Sequence, residues 1–330
     1  MSRIDVVGIG NALVDVLSHE NDEFVDEHGL EKGAMTLIDT DRAEALYAAM
    51  GPSTEISGGS AANTMVGIAS FGGSSAFIGR VNDDQLGSVF GHDIRAAGVE
   101  FSTAPATGSD DPTGRCLIVV TPDAQRTLNT YLGASARLGP ADLDHDLLGR
   151  AQVLFLEGYL WDEPDAKDAF RQAARRAHEA GNRVAFTLSD GFCVERHRDE
   201  FIELIEHEVD VLFANEVEIT SLYEVESFDD ALQRVAHHCE IAALTRSEKG
   251  AVIVTRDEVH VVDAHRVEHV VDTTGAGDLF ASGFLYGLTH GYDLGTAGRL
   301  ATLAASEVIS HLGARPQESL AALAADLVVR

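Results

Sequence analysis

Cysteine, lysine and tryptophan are scarce in this chain of 330 residues, and no apolar run is long. The three cysteines, Cys116, Cys193 and Cys239, stand far apart with no CxxC pair. That excludes a disulfide framework, fits a reducing compartment, and reads as three small buried hydrophobes. No stretch approaches the about 18 apolar residues of a membrane-spanning helix. The start, Met1-Ser2-Arg3-Ile4-Asp5, has no signal-peptide apolar segment, so a cytoplasmic location is expected. The 14 histidines show no HExxH and no cluster at metal-ligand spacing, so no structural zinc is expected. Positive charge is also short: 24 basic residues, only Lys32, Lys167 and Lys249 being lysines, face 54 acidic ones, for a net charge of −30. Such a surface repels phosphate backbones and anionic lipid, so neither nucleic acid nor a membrane is an expected partner. Any anionic substrate must therefore meet a locally positive pocket made by arginines, helix N-termini or a metal ion.

What is present is a globular composition, 45% hydrophobic. The second half alternates. Strands are expected at 153–156, 184–188, 209–213 and 241–245, with helices at 165–180, 201–206 and 229–238, Gly181 stopping the first. Alternation of this kind means βαβ units and a mostly parallel sheet covered by helices on both faces. Strands at 251–255 and 259–262 are expected to pair as a hairpin, and the last 55 residues to be mostly helical. The first half differs, with strand-like runs and no long helix between Asn11 and Pro52, and again between Phe101 and Leu132. Cys116–Thr121, a Pro122-Asp123 turn and Arg126–Leu132 read as a β-hairpin. No linker or repeat divides the chain. The reading is one α/β domain, 1–330, with a small second sheet as a lid, fed by discontinuous segments near 13–55 and 100–132.

Two strings carry chemistry. Asp272-Thr273-Thr274-Gly275-Ala276-Gly277-Asp278 precedes a helical stretch, Leu279 to His290. Small residues before a helix let its free N–H groups approach a ligand, and the helix dipole favours negative charge there. This makes an anion hole suited to a phosphoryl group, with Asp278 placed to accept a proton from a hydroxyl. Read alone, the same string is equally a glycine turn with Asp278 as a helix cap. The second string, Gly58-Gly59-Ser60-Ala61-Ala62-Asn63, brings backbone and an amide side chain close to a polyhydroxylated ligand; read alone it is a tight turn. A third pattern, Gly8-Ile9-Gly10, lacks the further glycine of a dinucleotide fingerprint, since position 13 is Leu13. The arginines Arg171, Arg175, Arg176 and Arg183 alternate with acids and read as a solvated helix face.

Together the two strings resemble the signatures of the ribokinase-like (phosphofructokinase B type) carbohydrate and nucleoside kinases. The resemblance extends to Gly10-Asn11-Ala12-Leu13-Val14-Asp15 and to Asn215-Glu216-Val217-Glu218. It implies a three-layer α/β/α sandwich with a β-sheet lid, and ATP and Mg2+ as the phosphate donor and its ion. Asn11–Asp15, Ser60–Thr64 and Arg126–Ala134 look most like the adenosine-kinase branch. The implied roles follow residue by residue. Asp278 is the base, weak because a helix N-terminus favours its carboxylate. The backbone of Gly275, Ala276 and Gly277 forms the anion hole. Asp15, Gly58, Gly59 and Asn63 hold ribose hydroxyls, with Asn11 assisting and Arg126 reaching the transferred phosphate from the lid. Asn215 and Glu218 organise magnesium and phosphates through water. Thr245, Gly250 and Thr274 contact the nucleotide, although Ser247 stands where the family usually has glycine. A monovalent-cation site for K+ would use Asp272 and the carbonyl of Thr274, with carbonyls near Val308, His311 and Gly313; Gln317 replaces a serine there. The implied activity is adenosine phosphorylation by a monomer or a homodimer joined through the lid. Its competitors are a fructokinase or ribokinase-like sugar kinase and an inactive nucleoside-binding regulator.

Overall fold

The computed structural model describes residues 3–108, 111–123 and 125–328. The chain start Met1-Ser2 and, within the span expected to feed the small sheet, Ser109, Asp110 and Ala124 lie outside it. The strands, in chain order, are β1 (Ile4–Ile9), β2 (Leu13–His19), β3 (Met35–Leu37), β4 (Ser53–Gly58), β5 (Ser75–Ile78), β6 (Gly114–Val120), β7 (Arg126–Tyr131), β8 (Ala151–Glu157), β9 (Arg183–Thr187), β10 (Val211–Asn215), β11 (Ile241–Thr245), β12 (Ala251–Val254) and β13 (Val259–Val262). They form two sheets. The larger runs β13-β12-β11-β10-β9-β8-β1-β5, parallel from β11 to β5, with β12 and β13 as an antiparallel hairpin at one edge. The smaller runs β3-β7-β6-β2-β4.

Continuous apolar runs make the central strands, because both faces of a parallel sheet are covered. Along β8, Leu154 and Leu156 face one layer and Val153 and Phe155 the other; β10 divides likewise into Leu212 and Ala214 against Val211 and Phe213. One layer is built by helices that include Pro164–Glu179 and Gly191–His207. The other holds Ser60–Ser70, Gln85–Ala96, Ala276–Thr289 and Leu294–Val308. Pro164 opens its helix at the first position, where no amide hydrogen is needed, and Gly181, with φ 73°, stands just past its end. The one tryptophan, Trp161, is fully buried against Phe170, Phe186 and Phe201.

Two differences from the sequence reading have physical causes. The span between Asn11 and Pro52 does contain helices, Asp22–Glu27 and Thr40–Ala49. The longer one buries only Ala43 and Leu46, too narrow an apolar stripe to register as periodicity, and it rests on Asp39, whose carboxylate accepts from Arg42 N at 2.8 Å. The helix expected at 201–206 begins at Gly191, capped by Asp190, and is interrupted at His197. Among the described residues no helix is long and apolar enough to cross a membrane.

Candidate active site

In a parallel sheet the strand carboxyl ends share one edge, where ligands of open α/β folds bind. Here β1 leads into Asn11, and β8, β10 and β11 end on Glu157, Asn215 and Thr245. A cleft of about 1680 Å³ lies along this edge and under the small sheet, with Asp15 and Asn63 towards one end, Asp278 and Gly277 in its wall, and Thr245 and Gly250 towards the other. A pocket for one small molecule occupies roughly 300–1,000 Å³, so this cleft holds two.

Asp278 lies in the first turn of the helix Ala276–Thr289, and two side chains from the helix Ser60–Ser70 hold its carboxylate. Ser60 Oγ donates to one oxygen at 2.6 Å and Asn63 Nδ2 to the other at 2.9 Å. Both signature strings thus meet at one carboxylate. Burial raises the Asp278 carboxyl above its ordinary value, against the lowering pull of Ser60, Asn63 and Arg315. Burial thus pulls against the helix-terminus effect on which the weak-base expectation rested. Gly275 initiates the helix with φ 79°, a conformation that suits glycine, and any Cβ there would meet Ala314 at 2.7 Å. The Ala276 N–H turns back onto Thr273 O at 3.2 Å. The N–H groups of Gly275 and Gly277 meet no acceptor among the described residues, which leaves two donors for an anion.

Asp15, on β2, accepts no hydrogen bond from a described residue and lines the cleft. Burial and the nearby Asp278 raise its carboxyl to about 6, against the pull of Arg315 and Arg126. Gly59 has φ 100°, and a Cβ there would lie 2.1 Å from Asn11 O, so only glycine lets this turn close on β1. Asn63 is buried, and its Oδ1 has no partner among the described residues, an acceptor open to a ligand hydroxyl. Asn11 is instead consumed internally. Its N and Nδ2 donate to Glu157 at 2.7 and 2.9 Å, and its Oδ1 accepts from Ser135.

At the other end, Asn215 and Glu218 form a reciprocal cap on the helix Glu216–Tyr223. Asn215 N and Nδ2 donate to the Glu218 carboxylate at 2.9 and 2.6 Å, and Glu218 N donates to Asn215 Oδ1 at 2.8 Å. Burial lifts the Glu218 carboxyl to about 7. Each of its oxygens keeps a lone pair, so the pair fits an indirect, water-borne role towards a hydrated magnesium ion. In the Thr245–Gly250 loop, Ser247 takes φ 52° and Gly250 φ 84°. The position where glycine was expected therefore keeps a glycine-like backbone with serine in it.

The monovalent-cation expectation meets a different arrangement. Arg126, buried at the start of β7, pairs with the Asp272 carboxylate. Thr274 N and Gly313 N donate to the same carboxylate at 3.0 and 2.9 Å. His311 Nε2 sits on Glu307 at 3.1 Å, and Val308 is packed in the core. With a guanidinium already meeting its charge, the Asp272 carboxylate does not fit the role of an anionic K+ ligand in this arrangement. The same pairing directs Arg126 to the loop before the anion hole.

Three residues escaped the sequence reading. Glu157 is fully buried, accepts from Asn11 and from Ala61 N at 2.8 Å, and has its carboxyl raised to about 7 by burial. An acid closing the apolar run of β8 was its only signal. Ser60 looked like the small residue of a turn. Arg315, whose Nη2 donates to Ser57 O at 2.6 Å, lay in a segment read only for monovalent-cation carbonyls.

A buried carboxylate in the first turn of a helix, two free amides beside it and a cleft large enough for two ligands suit a phosphotransferase with a hydroxyl acceptor. The model of the pfkB family carbohydrate kinases matches residues 36–320, and the chain belongs to that family. Among solved structures it is similar to an adenosine kinase from Sinorhizobium meliloti, at 52% identity and TM-score 0.91 over 98% of this chain and 99% of that one. It is as similar to a probable sugar kinase from Rhizobium etli CFN 42, at 51% identity and TM-score 0.92 over 99% and 100%. A 5-dehydro-2-deoxygluconokinase of Geobacillus thermodenitrificans is 27% identical over 267 residues, 78% of this chain and 79% of the relative. The chain is a nucleoside or sugar kinase of this family, and the family implies ATP as donor.

Proposed function

We propose that the acceptor is a nucleoside, adenosine above others, phosphorylated by ATP at the ribose 5′-hydroxyl. One observation carries the choice: the cleft face of the small sheet is apolar beside Asp15, lined by Leu13, Cys116, Ile118, Leu128 and Leu132. A free sugar has hydroxyls to satisfy all round, whereas a nucleobase offers an apolar face to such a wall. The likeness to the Sinorhizobium meliloti adenosine kinase supports the same reading.

In this mechanism Asp15, the Gly59 backbone and the free Oδ1 of Asn63 hold the ribose hydroxyls. Asp278 takes the 5′-hydroxyl proton as the oxygen attacks the γ-phosphorus in line and the bond to the β,γ-bridging oxygen breaks, ADP leaving with that oxygen. The Gly275 and Gly277 amides receive charge on the transferred oxygens. Magnesium, when bound with the nucleotide, screens phosphate charge, and Asn215 with Glu218 would hold its waters. The small sheet acts as a lid that excludes water. The role is a cytoplasmic one, returning nucleosides to the nucleotide pool.

The test is ADP release with ATP and magnesium, offering adenosine, inosine, ribose, fructose and 5-dehydro-2-deoxygluconate side by side. Selective turnover of adenosine supports the proposal. Turnover of a free sugar or sugar acid overturns the acceptor and keeps Asp278 and the anion hole. No turnover with nucleoside binding intact revives the regulatory alternative.

A further inference from the structure

Arg315 has no role in the mechanism above, yet its surroundings are those of a working residue. It leaves the turn that docks on the anion-hole loop, where Gly313 N donates to Asp272 at 2.9 Å and Ala314 packs against Gly275. Its side chain crosses to the small sheet, where Nη2 donates to Ser57 O at 2.6 Å and to Ser57 Oγ at 3.1 Å. Ser57 is fixed in turn by Asp93, which accepts from its N at 2.8 Å and its Oγ at 2.6 Å. Ser57 lies opposite Val14 in the β2–β4 register, and its neighbour Gly58 sits so near Asp15 that a Cβ would lie 2.5 Å from the Asp15 carboxyl carbon. The guanidinium is therefore anchored next to the Asp15 side chain, and its backbone next to the loop that ends in Asp278. Arg315 Nε is buried with no partner among the described residues, so Ser57 does not exhaust the donors.

We propose that Arg315 is a positioning residue for phosphoryl transfer: its anchored guanidinium is the fixed positive charge that lets Asp15 and Asp278 stay ionised together beside the acceptor hydroxyls. Two carboxylates in one poorly solvated site repel each other, and one of them takes up a proton unless a cation offsets them. The charged or titratable groups that interact with Asp278 are Asp15, Glu157, Tyr159 and Arg315, and among these described residues only Arg315 adds positive charge. Asp15 is also within reach of Arg126, but Arg126 is committed to Asp272. Arg315 thus serves the carboxylate that holds the sugar and the one that takes its proton.

The inference rests on the kinase reading for its kinetic test and is independent of it in a second. Kinetically, Arg315→Met moves the acid limb of the rate profile up by about one pH unit, a roughly tenfold greater loss below the limb than on the plateau. Arg315→Lys keeps the limb in place and loses affinity for the acceptor. A loss by Arg315→Met that is equal at every pH overturns the proposal, and so does a limb that moves in Arg315→Lys. The second test follows carboxyl carbons by NMR in the substrate-free protein, assigned by the signals lost in Asp15→Asn and Asp278→Asn. Both aspartates must titrate higher in Arg315→Met, and unchanged titration overturns the proposal whether or not any substrate turns over. Should Arg315→Met not fold, the lysine variant carries both tests, with unmoved titration expected and an upward shift fatal to the idea.

Discussion

Asn63 donates its side-chain amide to the Asp278 carboxylate at 2.9 Å, across 215 positions of sequence. The contact fixes the carboxylate proposed as the base and leaves Asn63 Oδ1 without a partner among the described residues. Asp278→Asn keeps the shape and removes the basicity, so turnover is expected to fall about 100-fold or more. Circular dichroism should be unchanged and acceptor binding retained. Near-normal turnover would take Asp278 out of the mechanism.

In the proposed function Asp15 accepts two hydroxyls and must be ionised to do so, and burial pushes its carboxyl up to about 6. Acceptor affinity is therefore expected to weaken as pH falls through about 6 while affinity for ATP changes less. Calorimetric titration at pH 5.5 and 7.5 reads this directly. Equal acceptor affinity at both values would remove Asp15 from the sugar site.

Stability should move the other way with pH. Burial raises the carboxyls of Asp15, Glu157, Glu218 and Asp278 above their unfolded values, so the folded state binds protons more tightly than the unfolded chain. Their protonated forms favour the fold below the unfolded values near 4, and for Asp15, Glu157 and Glu218 that advantage is lost as pH rises through about 6 to about 7. The melting temperature of the ligand-free protein is expected to be higher at pH 5.5 than at pH 8. A flat or rising profile over that interval would contradict the burial of these four groups.

Arg126 and Asp272 are both buried, and removing one charge strands the other. Arg126→Met is expected to cost towards the lower end of about 3–5 kcal/mol, since Thr274 N and Gly313 N still serve the carboxylate. Exchanging K+ for choline should change wild-type turnover less than about twofold, the guanidinium already neutralising Asp272. Strong K+ activation would show that the pair opens to admit the ion.

Ser247 holds φ 52°, where a side chain crowds the backbone. Ser247→Gly is expected to stabilise the protein by about 1 kcal/mol. Chemical denaturation of the two proteins side by side measures it. Destabilisation would mean that the serine hydroxyl contributes more than the backbone strain takes away.

The parallel sheet was legible because its strands are unbroken apolar runs, and β11 falls on the span expected for it, Ile241–Thr245. The helix Thr40–Ala49 was not, since two buried residues leave no period to read. The same divide runs through the site. Asp278, Asp15 and Asn63 stood out by their position in glycine-rich strings. Glu157 and Arg315 matter through partners up to 258 positions away, Ser57 for Arg315, and no local pattern encodes such a meeting. The weak-base expectation rested on the helix terminus, which a sequence displays, and left out the desolvation around Asp278, which it hides.

All thirteen strands among the described residues are complete by Val262, whereas the proposed anion hole and base, Gly275 to Asp278, and Arg315 lie beyond it. The segment proposed for catalysis is thus added to the chain after every strand. The helix Ser60–Ser70 receives it at Gly67, where only a hydrogen leaves room for Ser282 and Leu279 of the later helix. Docking of that late helix finishes the core and brings Asp278 to Ser60 and Asn63 in one movement. A nascent or clipped chain ending before it would be a scaffold without chemistry, which keeps an incomplete enzyme from transferring phosphate.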